Sequence, residues 1–303
     1  MSEHEHHHNA ELSGKRFFEV TVLNAVITIV EFLGGIFSGS LSLLSDAIHN
    51  LGDSLSIIFS YGAHVISQRK QTKTNTYGFK RAQILSALFN SIFLVVISLF
   101  LIIEAIDRIQ HPEKVDGVIM VVVAVVGTVA NTLSTILLSK GAEHNLNMKA
   151  TYLHLLSDAL SSFGIIIGAI LITFFNWTII DPLITIAVAC YIMWESWPVI
   201  RKSVGILMEC APNLDYKAIH QDLLAIDGVK CVHHVHALMV DENSVVFSAH
   251  VNMDDLRLSQ VQEIYDKINH LLTTKYGIDH ITIQPETVRG ENEDFFYSSK
   301  KDI

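Results

Sequence analysis

The sequence predicts a multi-pass α-helical membrane protein with six transmembrane helices, followed by a small α+β domain outside the bilayer. Three observations carry this. Half of the 303 residues are hydrophobic and only 17% are charged, against about 25% charged in soluble domains. Six apolar stretches reach the roughly 20 residues that a helix needs to cross hydrocarbon. Beyond Gly205 the long apolar runs stop, and short alternating and amphipathic segments replace them.

The six stretches are Phe17–Phe37, Leu41–Ile66, Ile84–Ile106, Val118–Leu138, Ala150–Phe175 and Ile179–Ile200. Polar or turn-forming breaks separate them: Gly39-Ser40, Gln68–Arg81, Arg108–Asp116, Ser139–Lys149 and Asn176-Trp177, with Asp181-Pro182 marking the start of the sixth. In the second part Asp215–Ile226 reads as a helix. Gly228–Met239 and Ser244–Met253 alternate like strands around the turn Asp241-Glu242-Asn243. Ser259–Tyr276 is an amphipathic helix ended by Gly277, and His280–Gln284 is a last strand. The order α-β-β-α-β predicts a small sheet covered on one face by two helices. The expected domains are a His-rich tail (1–14), a transmembrane domain (15–204), the α-β-β-α-β domain (205–290) and a flexible tail (291–303).

Charge gives orientation. The break after the second stretch holds Arg69, Lys70, Lys73, Lys80 and Arg81; Lys140, Lys149, Arg201 and Lys202 fall on the same side, against only Arg108 and Lys114 opposite. Basic residues stay inside, so both termini are expected in the cytoplasm. From residue 206 onward 8 Lys+Arg face 16 Asp+Glu, most of the total net charge of −10. An acidic domain of this kind argues against a nucleic-acid partner.

Cys190, Cys210 and Cys231 show no CxxC spacing and read as buried small hydrophobes. No cleavable signal peptide is visible. His4, His6, His7 and His8 make a His-rich start, suited to loose metal capture or simply to a solvated tail.

Two copies of one pattern stand inside the apolar runs: His49-x-x-x-Asp53 and His154-x-x-x-Asp158. Residues four apart share a helix face, so each pair aims an imidazole and a carboxylate at one point. Ionisable side chains cost about 2.5–3.5 kcal/mol each at the bilayer centre on insertion scales, so they need a function or a partner. One pair could be a hydrogen-bonded tie between helices. Two identical pairs form the four-ligand N/O set that Zn²⁺ takes tetrahedrally, without the thiolates of a Cu(I) site. Such ligands bind metal only when deprotonated, so protons compete with metal and proton exchange follows from the same residues.

Other polar residues in the spans divide between two roles. Asp46 shares the face of His49 and could relay protons, approach the ion, or be a helix-end carboxylate. Asn24, Glu31, Asn90 and Asn131 read as interhelical hydrogen-bonding residues and His64 as structural; Glu104 and Asp107 could line an outer exit.

These motifs resemble the cation diffusion facilitator family, specifically its bacterial zinc exporters, over nearly the whole chain. The resemblance rests on Ser45-Asp46-Ala47-x-His49-x-x-x-Asp53, His154-x-x-Ser157-Asp158 and Tyr77-Gly78-Phe79-Lys80-Arg81, with Val232-His233-His234-Val235-His236, Ser248-Ala249-His250 and Thr282-Ile283-Gln284 in the second part. It implies a homodimer in the bacterial cytoplasmic membrane, a ferredoxin-like, metallochaperone-like cytoplasmic domain, and Zn²⁺/H⁺ antiport by alternating access, with His49, Asp53, His154 and Asp158 as the transport site. His233, His250 and Glu286 match the cytoplasmic zinc positions of relatives. Asp279 stands where many relatives have His, with His280 beside it. Residues 67–80 contain no Asp, Glu or His, so no third ion is expected there. Ala237-Leu238 replaces Val-Trp of relatives, and Ser139–Lys149 is shorter than the His-rich loop of many eukaryotic members.

The expected partners are therefore Zn²⁺, H⁺, membrane lipid and a second copy of the chain. Rivals are a broad-range exporter that also takes Co²⁺, Cd²⁺ or Fe²⁺, and a membrane zinc sensor. An intramembrane zinc hydrolase would need an open coordination position and a His-Glu-x-x-His helix, which the sequence lacks; no enzymatic activity is expected.

Overall fold

The computed structural model describes residues 22–142 and 146–296, with side chains for all of these except 137–142, 146–155 and 157. Six helices form the first part: α1 (Val22–Ser38), α2 (Leu41–Ser67), α3 (Arg81–Gln110), α4 (Gly117–Ala142), α5 (Leu146–Phe175) and α6 (Ile180–Leu207). They follow the six expected stretches and overrun most of them, because polar residues at the ends continue the helical hydrogen bonding past the apolar window. α3, α4, α5 and α6 are long and apolar enough to cross a membrane by length and composition. α2 is 27 residues long, about 40 Å at 1.5 Å per residue. Its apolar character is diluted by Asp46, His49 and Asp53, the residues that make it of interest.

Large side chains such as Phe100, Phe163 and Trp194 point outward. Inside, small residues let the helices approach. A Cβ on Gly52 would overlap Leu94 of α3, and one on Gly168 would overlap Ile184 of α6. This is membrane-helix packing, where close approach replaces a hydrophobic drive that lipid cannot supply. The cysteine expectation fails, for Cys190 of α6 by the same packing. Cys190 and Cys210 are exposed and Cys231 half-buried. In an apolar helix such as α6 hydrophobic residues face outward as readily as inward.

Polar residues tie the helices together in pairs. The Asp181 carboxylate of α6, fully buried, accepts from Ser40 Oγ (2.6 Å), Leu41 N (2.8 Å), Ser42 N (3.2 Å) and Ser42 Oγ (2.6 Å). It caps the start of α2 from a different helix, satisfying N–H groups that have no partner within α2. Asn50 Nδ2 donates to Glu31 Oε2 at 2.8 Å, joining α2 to α1. Asn131 Nδ2 donates to Ser162 Oγ at 3.2 Å, joining α4 to α5. Glu31 and Asn131 thus make the interhelical bonds expected of them.

The chain divides into two compact units, one containing residues up to 62 and 86–200, the other 63–85 and 201 onward. The second unit holds α7 (Tyr216–Leu224), β1 (Cys231–Met239), β2 (Val245–Asn252), α8 (Leu258–Tyr276) and β3 (His280–Glu286). The strands lie in the order β1-β2-β3, with β1 antiparallel and β3 parallel to β2. Asp215 caps α7 through Ala218 N (3.0 Å), and Gly277, at φ 66°, ends α8 in the left-handed region that only glycine enters freely. Ile219 and Leu223 of α7 and Ile264, Ile268 and Leu272 of α8 pack on Val232, Val235, Phe247, Ala249 and Val251. Lys275 and Tyr276 each reach Asp222 Oδ2 at 2.5 Å, linking α8 to α7. These two donors hold the Asp222 carboxyl below its ordinary value. Lys80 Nζ donates to Ser244 Oγ at 2.6 Å, so the 63–85 segment is joined to the β1–β2 turn.

Candidate metal centres

α2 presents His49 and Asp53 one turn apart, and α5 presents Asp158 to the same point. His49 Nε2 lies 3.3 Å from Asp158 Oδ1 and 3.8 Å from Asp53 Oδ2. Each of the three residues offers a donor atom within 4.8 Å of the others. Bonds of about 2.1 Å to a tetrahedral Zn²⁺ put neighbouring donors roughly 3.4 Å apart, so this spacing is that of a coordination shell. The His154 side chain lies outside the described residues; its backbone is one helical turn before Asp158 on α5. Burial is graded. The His49 and Asp158 side chains are 8% and 4% exposed and that of Asp53 is 24%. Asp53 faces a cavity of about 200 Å³ that His49 also lines.

Asp46 stands outside the three-residue cluster. It is only 2% exposed and accepts from Ser162 Oγ at 3.0 Å, one link from Asn131. The helix-end alternative is thereby removed: Asp46 is an interior carboxylate held by α5. Glu104 and Asp107 belong to local pairs, with Arg108 (3.6 Å) and His111 (3.3 Å). His64 Nδ1 is bonded to Gln83 Nε2 at 3.1 Å.

A second cluster lies on the sheet. His233 of β1 pairs directly with His250 of β2, and Glu286 ends β3 beside them. His233 Nε2 is 3.3 Å from Glu286 Oε2, and His250 Nδ1 is 3.2 Å from Glu286 Oε1. A β-bulge makes this possible. Three steps from His233 to His236 face two from His250 to Ser248, and His234 takes φ 52°. The extra residue re-aims the strand, as bulges near sites do, at the cost of a left-handed non-glycine residue. His233 is 1% exposed, and its Nδ1 finds no hydrogen-bond partner among the described residues. A buried imidazole and carboxylate with spare donor capacity fit a divalent cation.

Asp279 and His280 are not brought to this cluster. Asp279 Oδ2 accepts from Val245 N at 3.3 Å, and His280 stacks edge-on against Tyr77 with ring centroids 5.8 Å apart. His280 pairs with Val246 and His250 with Gln284, four residues further along, or about 13 Å. Sequence reasoning missed Asp181, Asn50, Ser162 and Gly290. A Cβ at Gly290, whose φ is +71°, would overlap the His233 ring.

Residues 18–208 match the family described as "Cation efflux transmembrane domain", and residues 211–288 that described as "Cation efflux protein, cytoplasmic domain". The chain is 37% identical over 286 residues to the "Cadmium, cobalt and zinc/H(+)-K(+) antiporter" of Bacillus subtilis, covering 93% of this chain and 92% of that one. It is 38% identical over 291 residues to the zinc transporter ZitB of Escherichia coli, with the same coverage. It is 31% identical over 291 residues to the metal cation efflux system protein CzcD of Cupriavidus metallidurans, covering 95% and 92%. The chain therefore belongs to the cation efflux, or cation diffusion facilitator, family of multi-pass membrane transporters and is not an enzyme.

Proposed function

We propose that this chain exports Zn²⁺ from the cytoplasm in exchange for protons, using His49, Asp53, His154 and Asp158 as the transport site. The observation that carries the reading is the interhelical cluster of His49, Asp53 and Asp158, with donors at coordination spacing deep between apolar helices. A His/carboxylate set is neutralised by protons and emptied of metal by them, so one site serves both ions in turn. Protonation from outside displaces Zn²⁺ there; cytoplasmic Zn²⁺ displaces the protons after the helices reorient. Asp46, one hydrogen-bonded step into α5, is suited to hold a proton beside the site.

The acting form is a homodimer in the bacterial cytoplasmic membrane, surrounded by lipid, with both termini cytoplasmic. Residues 15–204 form the transport domain and 205–290 the cytoplasmic dimerisation domain, flanked by the 1–14 and 291–303 tails. In the latter domain His233, His250 and Glu286 would hold a zinc ion with structural or regulatory effect. Asp279 and His280, which are not brought to that cluster, are not proposed as its ligands.

A second reading, a broader divalent exporter, is favoured by the cadmium and cobalt in the printed names of relatives. Zinc uptake into inverted vesicles, with and without an imposed pH gradient, tests the main reading. Uptake should require the gradient and fall to background in Asp53→Ala and Asp158→Ala. Undiminished zinc flux in both variants would refute the site. Equal competition by Cd²⁺ and Co²⁺ would move the substrate class to the broader one.

A further inference from the structure

Below the three-residue cluster a cavity of about 200 Å³ opens between α2, α3 and α6. Its walls are mixed: Ser56 and Ser60 continue the Asp53 face of α2, Asn90 and Ser91 come from α3, and Leu94 and Ile192 supply apolar surface between them. α6 contributes Glu195. This glutamate is exposed, although it lies within an apolar helix long enough to span a membrane. A carboxylate at such a depth is tolerable where it meets water and points to an ion path.

The Asp181 clamp fixes its level. Asp181 holds Leu41 N, so α2 and α6 start together, and residues of both line the same cavity, so they run side by side. At 1.5 Å per residue Asp53 lies about 18 Å from Leu41 and Glu195 about 21 Å from Asp181. Glu195 thus stands within one helical turn of Asp53, on the side away from the clamped end. Asp53 is the least buried of the three clustered residues and the one next to this mouth.

We infer that Glu195 is the cation-capture residue of the vestibule, the first carboxylate a divalent ion meets before Asp53 and His49. The inference rests on the transport-site reading above. A negative group in a narrow, low-dielectric mouth raises the local cation concentration and the rate of capture. It adds nothing to the stability of the ion once His49 and the aspartates hold it. Its signature is therefore a changed KM with an unchanged maximal rate, weakened by salt.

The test is initial-rate Zn²⁺ flux in reconstituted vesicles for Glu195→Gln, Glu195→Asp and Asp53→Ala at low and high ionic strength. Glu195→Gln should raise KM about five- to thirtyfold, leave the maximal rate unchanged and flatten the salt dependence of KM. Glu195→Asp should restore most of the wild-type KM. Should Glu195→Gln fail to fold, Ser60→Lys in the otherwise wild-type chain puts a cation on the α2 wall of the same cavity and should raise KM likewise. A wild-type KM in Glu195→Gln, or in Ser60→Lys, beside an inactive Asp53→Ala overturns the capture role alone. So does a loss confined to the maximal rate. An Asp53→Ala variant that still transports overturns the site on which the inference stands.

Discussion

His233 shows how far a single residue's neighbours decide what it can do. Its ring is buried, faces Glu286 and His250, and is roofed by Gly290 at φ +71°. Any side chain at 290 meets both an unfavourable backbone region and the imidazole. Gly290→Ala should therefore displace His233 and weaken zinc binding at this cluster. Differential scanning of the detergent-solubilised full chain checks it. Zinc at about 100 times its dissociation constant stabilises a one-site protein by about 2.7 kcal/mol, and that zinc-dependent rise in the domain transition should shrink in Gly290→Ala. An equal zinc response in both proteins would refute the role. The histidines themselves were legible, since paired strands place His233 opposite His250. The bulge at His234 and the glycine roof were not, because each depends on residues distant in sequence or on one extra residue within a strand.

At the scale of elements, α2 is the part whose placement matters most, and its position is set from outside. The α2 start bears no acidic residue of its own in its first turn; the cap comes from Asp181, about 140 positions away. In sequence Asp181-Pro182 announces only the beginning of α6, which is also true. Nothing local says that the same carboxylate accepts four hydrogen bonds from residues 40–42. The existence of all six apolar helices was legible, because periodicity and length are local properties. Which faces meet was legible for His49, Asp53 and Asp158, where an unaffordable polarity demanded a partner; the His154 side chain lies outside the described residues. Removing the carboxylate leaves buried Ser40 and Ser42 hydroxyls and two N–H groups without their acceptor. A hydrogen bond to a charged group is worth about 1.5–3 kcal/mol, so Asp181→Ala should lower the melting temperature of the solubilised protein clearly. Asp181→Asn, which keeps one acceptor oxygen, should fall between. Because His49 and Asp53 lie 8 and 12 residues along the same helix, zinc flux should fall with α2 order, mainly in maximal rate. Asp181→Ala with wild-type melting and flux would show that α2 is positioned by packing alone.

For the whole molecule, charge distribution makes a directional statement that the fold leaves free. Arg69, Lys70, Lys73, Lys80 and Arg81 follow α2, and Arg201 and Lys202 stand near the end of α6. Short basic segments resist translocation, so these ends are expected on the cytoplasmic side. The second unit contains all of these residues together with Cys210, which is exposed. Its thiol reports the side of the membrane on which that unit lies. In a Cys190→Ser/Cys231→Ser variant, a membrane-impermeant maleimide should label Cys210 in inverted vesicles and spare it in intact right-side-out ones. The vestibule walled by Ser56, Ser60 and Glu195 runs toward the same end of α2 and α6, so labelling from inside also assigns this mouth to the cytoplasmic face. Labelling only from outside would reverse the topology, and the mouth beside His49 and Asp53 would then open to the opposite compartment.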